Sequence, residues 1–166
     1  MAMQQHALSV LVENEPGVLS RVVGLFSGRG FNIHSLNVAP SHEEGVSHIT
    51  ITTEGDSLIL EQIIKQLHKI VSVLKVVDYE DIPAVSREMM FVKVQAEGPV
   101  RGEILRTVEI FRCKVVDVSH NEMIIEATGN HDKLEAIISL LQRFGIRELA
   151  RTGAVAMRRS KKTDQA

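Results

Sequence analysis

The sequence predicts an α+β protein built as two βαββαβ units in tandem. Three observations carry that reading. Apolar residues switch along the chain between a period of two and a period near 3.6, which marks strands and helices in turn. The second half repeats the element order of the first. The apolar content is aliphatic: 44% of the 166 residues are hydrophobic, but only 4% are aromatic and none is Trp. That is enough Val, Ile and Leu for a core in each half.

Residues 6–12 (HALSVLV) read as the first strand. Pro16 is expected to open a helix, where its missing N–H costs nothing. Leu19, Val22, Val23 and Phe26 then fall at i, i+3, i+4 and i+7 on one helical face, and Gly28 and Gly30 stop it. Residues 31–38 (FNIHSLNV) form a second strand, followed by a polar turn from Pro40 to Gly45. Residues 46–53 (VSHITITT) alternate, with Ile49 and Ile51 on one face and His48, Thr50 and Thr52 on the other. Gly55-Asp56-Ser57 is expected to cap a second helix carrying Leu60, Ile63, Ile64, Leu67 and Val71. Residues 73–79 are a fourth strand. Residues 80–87 (EDIPAVSR) read as a linker that Pro83 keeps irregular.

The second half runs in the same order. A strand over 89–95 leads through Gly98-Pro99 into a helix with Ile104, Leu105, Val108 and Phe111. Strands over 114–119 and 122–128 flank a tight turn near His120-Asn121. Asn130 caps a helix with Leu134, Ile137, Ile138 and Leu141, and Gly145 ends it. A last strand covers about 147–157. Each half is therefore a ferredoxin-like unit with both helices on one face of an antiparallel sheet. The expected organisation is a first domain over 1–79, the linker, a second domain over 88–157, and a basic tail over 158–166 that is expected to be disordered. The usual strand order puts the second strand at a sheet edge. Its unpaired N–H and C=O groups invite pairing with another copy, so a homodimer through these edges is expected.

The segment Asn14-Glu15-Pro16-Gly17-Val18-Leu19 is the most informative part of the chain. It joins the first strand to the N-terminus of the first helix, where backbone N–H groups lack intrahelical partners and the helix dipole carries about half a positive charge. Gly17 lets a ligand approach the backbone closely, and Asn14 can donate and accept. Such a loop suits a small carboxylate. Asn32 and Ile33 begin the edge strand. If edge strands pair about a two-fold axis, the Asn32 of one copy faces the loop of the other, and a zwitterionic amino acid fits between them with its side chain against residues such as Ile33. A structural reading competes with this one: Asn14 caps the helix, Glu15 favours its dipole, and Asn32 completes a turn.

Nothing near this loop provides catalytic chemistry. Ser, His and Asp are present without a nucleophile motif. Gly24, Gly28 and Gly30 lie at a helix end and do not form a dinucleotide fingerprint. Cys113, the single cysteine, excludes an intrachain disulfide and fits a reducing compartment. Seven histidines raise a metal site, and His34, His42 and His48 are the nearest group, but none has ligand spacing on a helix. No catalytic or metal-ligating residue is assigned. A net charge of −2 argues against a nucleic-acid partner, as no apolar run of spanning length argues against a membrane one. The N-terminus has neither a basic start nor an apolar stretch, so a soluble cytoplasmic protein is expected.

The run NEPGVLSRVVGLFSGRGFNIHSLNVAP (14–40) resembles the small regulatory subunits of acetolactate (acetohydroxyacid) synthase. So do LEQIIKQLHKIVSVLKV (60–76), REMMFVKV (87–94) and TVEIFRCKVVDVS (107–119). The resemblance spans residues 4–157. It implies that the first domain is an ACT domain and that the chain is non-catalytic. It also implies a large catalytic partner that carries thiamine diphosphate, Mg and FAD, with no cofactor on this chain, and feedback inhibition by L-valine in branched-chain amino acid biosynthesis. The family's effector ligands fall on Asn14 and Gly17 of one subunit and Asn32 of the other, with Pro16, Val18, Leu19 and Ile33 beside them. Pro16 and His34 depart from the residues usual at their positions, and neither removes a backbone donor that the site needs. Two other classes remain open at this level: a free-standing amino-acid-sensing ACT protein, and a metal-responsive regulator.

Overall fold

A computed structural model describes residues 4–55, 57–80 and 82–160. The element order is β1 (Gln4–Glu13), α1 (Val18–Ser27), β2 (Ile33–Pro40), β3 (Val46–Gly55), α2 (Ser57–Leu67), β4 (Val73–Asp78), β5 (Ala84–Gln95), α3 (Val100–Ile110), β6 (Lys114–Val118), β7 (Glu122–Gly129), α4 (His131–Gln142), β8 (Ile146–Arg151) and β9 (Val155–Arg158). The chain divides into two compact units. Unit 1 comprises residues up to Val85 and those from Ala154 onward; unit 2 is Ser86–Gly153.

In unit 1 the antiparallel sheet has the order β2-β3-β1-β4. Alternation along β1 buries Leu8, Val10 and Val12, and their cross-strand partners include Ile51 opposite Leu8 and Ile49 opposite Val10. These side chains meet Val18, Val22 and Phe26 from α1 and Leu60, Ile63 and Leu67 from α2 in one core. Each fully buried aliphatic side chain contributes about 1.5–3 kcal/mol. β2 is an edge strand, paired only with β3 among the described strands. Its register skips at His34, since Ile33 pairs with Thr53 and Ser35 with Thr52.

Unit 2 repeats this plan with the order β6-β7-β5-β8. Met90, Val92 and Val94 of β5 take the places of Leu8, Val10 and Val12, and pack with Ile104, Val108, Leu134, Ile137 and Leu141. The spacing that links Val18 to Val100 also links Val22 to Ile104, Phe26 to Val108, Gly30 to Arg112 and Phe31 to Cys113. Both first helices end alike. The Gly30 N–H donates to Ser27 O (3.2 Å) and the Phe31 N–H to Phe26 O (3.0 Å); the Arg112 N–H donates to Glu109 O (3.0 Å) and the Cys113 N–H to Val108 O (2.8 Å). This is the Schellman closure, which needs a left-handed residue. Gly30 has φ +70° and Arg112 φ +53°.

Several expectations are corrected. The first helix begins at Val18, not Pro16, because Gly17 has φ +85° and breaks the helical path. Its buried face is Val18, Val22 and Phe26, while Leu19 is 40% exposed. Val71 is 91% exposed, since α2 ends at Leu67. The expected cap of α2 includes Asp56, which lies outside the described residues. Residues 84–87, read as linker, already belong to β5, because only Pro83 lacks an N–H for pairing. The last strand is two strands, β8 and β9, broken at Gly153 with φ +77°. β9 belongs to unit 1: the Tyr79 hydroxyl donates to Ala156 O (3.3 Å), the Arg159 N–H to Pro83 O (2.8 Å), and the Ala154 N–H to Ser35 Oγ (3.4 Å). Of the tail, 158–160 are described and 161–166 lie outside the described residues. Among the described residues no helix is long and apolar enough to cross a membrane.

Candidate functional site

The loop from Asn14 to Gly17 hangs between two backbone anchors. The Glu13 N–H donates to Ser72 O (2.9 Å) and the Asn14 N–H to Gly45 O (2.7 Å). Gly17 is the N-cap of α1 in the left-handed conformation, with no side-chain cap. Asn14 is therefore not the cap, and its exposed amide is left for another role. A Cβ on Gly17 would meet nothing within 4 Å, so the backbone angle, not crowding, requires glycine there. The Gly17 carbonyl accepts the Arg21 N–H (3.1 Å), and the Val18 N–H makes a long bond to Glu15 O (3.4 Å). Among the described residues the N–H groups of Gly17 and Leu19 have no backbone acceptor. Pro16 and Leu19 are exposed; Val18 anchors the first turn in the core.

Asn32 lies past the other end of α1. Its backbone carbonyl accepts the Thr53 hydroxyl (2.7 Å), and its side chain is exposed. Ile33 packs against the core of unit 1 at the start of β2. A ten-residue helix spans about 15 Å, and α1 has ten residues between the loop and Asn32. The structure thus brings Asn14, Pro16, Gly17, Val18 and Leu19 together, and holds Asn32 and Ile33 apart from them within one chain. A small ligand that touches both sets needs the second set from another copy.

The histidines are engaged separately. His48 Nε2 lies 2.6 Å from Ser9 Oγ, and burial pushes its pKa down. His34 pairs with Glu54 at 3.1 Å and His42 with Glu43 at 3.9 Å. Among the described residues no three His, Cys, Asp or Glu side chains form a metal-binding group. Burial pushes the Cys113 thiol up, which disfavours a nucleophilic thiolate.

Sequence reasoning missed Arg101. Its guanidinium donates to the carbonyls of Ala96 (3.2 Å), Ser119 (2.7 Å) and His120 (2.8 Å). The available signal was its position, the counterpart in unit 2 of Leu19.

The chain is similar to known proteins along nearly its whole length. Residues 8–75 match the model of the AHAS small subunit-like ACT domain, and residues 87–160 match that of the small subunit of acetolactate synthase. The chain is 49% identical to the acetolactate synthase small subunit of Aquifex aeolicus, over 94% of this chain and 82% of that protein. It is also 49% identical to the acetolactate synthase small subunit of Mycolicibacterium smegmatis, over 93% of this chain and 91% of that one. The crystal structure of the small subunit from Thermotoga maritima superposes with a TM-score of 0.88 at 45% identity, covering 95% of this chain and 99% of that one. Its two βαββαβ units, the first an ACT domain, place this chain in the acetolactate synthase small-subunit family.

Proposed function

We propose that this chain is the regulatory, non-catalytic subunit of a cytoplasmic acetolactate synthase. It binds the large catalytic subunit, raises its activity, and makes it subject to feedback inhibition by L-valine. Thiamine diphosphate, Mg and FAD belong to that partner in this reading, and this chain carries no cofactor. Two copies pair through their β2 edges. Each effector molecule then lies between Asn14, Pro16, Gly17, Val18 and Leu19 of one copy and Asn32 and Ile33 of the other.

The observation that carries the reading is the separation of two exposed amides, Asn14 and Asn32, by the length of α1 in one chain. The donors at the loop suit the carboxylate of an amino acid, and the apolar start of β2 suits its side chain. The coupling is reciprocal: if valine shifts the complex toward a less active arrangement, the catalytic subunit alters valine affinity by the same factor, typically about 1–3 kcal/mol. Valine, leucine and isoleucine differ by methyl groups that discriminate by only ~1–3 kcal/mol each.

Calorimetric titration of Asn14→Ala with L-valine tests the assignment. Loss of the amide should weaken binding by ~1–3 kcal/mol, roughly 5–150-fold, by leaving a ligand group unpaired. Because Asn14 is exposed, the unfolding temperature should not move. Wild-type affinity in the variant would remove Asn14 from the site.

A further inference from the structure

The two units hang their first loops from matching backbone anchors. In unit 2 the Ala96 N–H donates to Asn121 O (2.7 Å), as Asn14 does to Gly45, and the Gln95 N–H donates to Gly145 O (3.0 Å), as Glu13 does to Ser72. The residue in the first turn of the following helix is Leu19 in unit 1 and Arg101 in unit 2. Arg101 is half-buried, and its Nε and a terminal nitrogen bridge the Ala96 carbonyl to the carbonyls of Ser119 and His120 in the β6–β7 turn. One cation thus satisfies three acceptors and seals the loop against its neighbouring turn. Hydrogen bonds from an ionised donor are about twice as strong as neutral ones.

Leu19 has no donor. Among the described residues no side chain donates to the Asn14 carbonyl. The loop of unit 1 therefore hangs from the same two backbone anchors as that of unit 2 without the tethered cation, although its left-handed residue is Gly17 where unit 2 has Gly98, one place earlier in the loop. It also keeps the amide of Asn14, where unit 2 has a buried Ala96.

On the effector reading above, we infer that residue 19 decides which loop takes a ligand. Arg101 closes the loop of unit 2 with the chain's own guanidinium. Leu19 leaves the loop of unit 1 open to an incoming ammonium group.

The test is calorimetric titration of the full-length protein with L-valine, alone and with the catalytic subunit. It compares wild type with Leu19→Arg, Leu19→Gln and Arg101→Leu. Leu19→Arg should weaken valine binding more than about tenfold, because a tethered guanidinium occupies the place of the ligand's ammonium, whereas Leu19→Gln, of similar reach but uncharged, should lose several-fold less than Leu19→Arg. Arg101→Leu should bind no fewer valines per chain than wild type. Should Leu19→Arg fail to fold, Leu19→Lys carries the same test with a cation on a different stem. Wild-type affinity in the folded cationic variant overturns the inference. So does an equal loss in Leu19→Gln, which would show crowding and not charge, or a fall in the number of valines bound by Arg101→Leu. These results leave the effector reading standing. No valine binding by wild type, with or without the catalytic subunit, overturns both.

Discussion

Replacing Arg112 by glycine should stabilise the protein, and replacing Gly30 by alanine should destabilise it by a similar amount. Both residues occupy the left-handed position of a Schellman closure, at φ +53° and +70°. A side chain in that conformation costs roughly 1–2 kcal/mol. The guanidinium of Arg112 has no hydrogen-bond or ion-pair partner among the described residues, so little is lost with it. A Cβ on Gly30 would meet nothing within 4 Å, so its cost is the backbone conformation alone. In both variants the unfolded chain opposes the change, because glycine has more freedom there, by about 0.4–1 kcal/mol. The net effect is about 0.5–1 kcal/mol, upward for Arg112→Gly and downward for Gly30→Ala. With a urea slope of about 2 kcal/mol/M this moves the midpoint by about 0.25–0.5 M, measured by circular dichroism. The double variant should unfold near the wild-type midpoint, since the two sites lie in separate cores and share no partner. A lower midpoint for Arg112→Gly would refute the reasoning, because it would mean that the arginine side chain stabilises more than its backbone angle costs.

Two further predictions concern the cores and their charge. Glu88, whose side chain is only 10% exposed, meets Arg151 through two bonds of 2.8 Å, and Arg151 also reaches Glu135 at 2.6 Å. The bond from Arg151 holds the Glu88 carboxyl below the usual carboxylate range. A depressed pKa stabilises the fold above the unfolded value of about 4.3, and that contribution is lost as pH falls through the folded value. Arg151→Met should cost about 1–3 kcal/mol at neutral pH and flatten the acid limb of the stability profile, with some of the loss screened because Arg151 is partly exposed; an unchanged acid limb in pH-dependent urea melts would contradict this. Phe26 is fully buried in unit 1 and meets Phe31 edge-to-face, with centroids 6.5 Å apart. Phe26→Ala should cost about 3–5 kcal/mol by leaving a cavity, and a thermal melt within a degree or two of wild type would contradict that packing.

Where the sequence was legible, physical periodicity made it so. The alternation of Ile49 and Ile51 against Thr50 and Thr52 is the pairing seen opposite β1. Asn130 was read as a helix cap, and its side chain accepts the Lys133 N–H at 3.2 Å. Gly145, read as a helix stop, has φ +86°. The misreadings also have causes. Val18 and Leu19 are both apolar, so the helical period admits either face, and only the left-handed Gly17 sets the start of α1. Pro83 looked like a break in structure; it lacks an N–H, but its carbonyl still accepts the Arg159 N–H across from β9. The return of β9 to unit 1 depends on contacts between residues far apart in sequence, such as Tyr79 with Ala156, which no local pattern encodes. The candidate site was legible as a loop. The role of Arg101 was not, because two of its acceptors, the carbonyls of Ser119 and His120, lie far along the chain in the β6–β7 turn.

The central claim is regulation of a catalytic partner, and reconstitution tests it most directly. The purified large subunit is assayed for acetolactate formation with and without this chain, across a series of L-valine concentrations. The account predicts a higher rate on adding the chain, then a saturable loss of that rate with valine that the large subunit alone does not show. A rate unaffected by the chain at saturating amounts, or raised by it but indifferent to valine, would contradict the account.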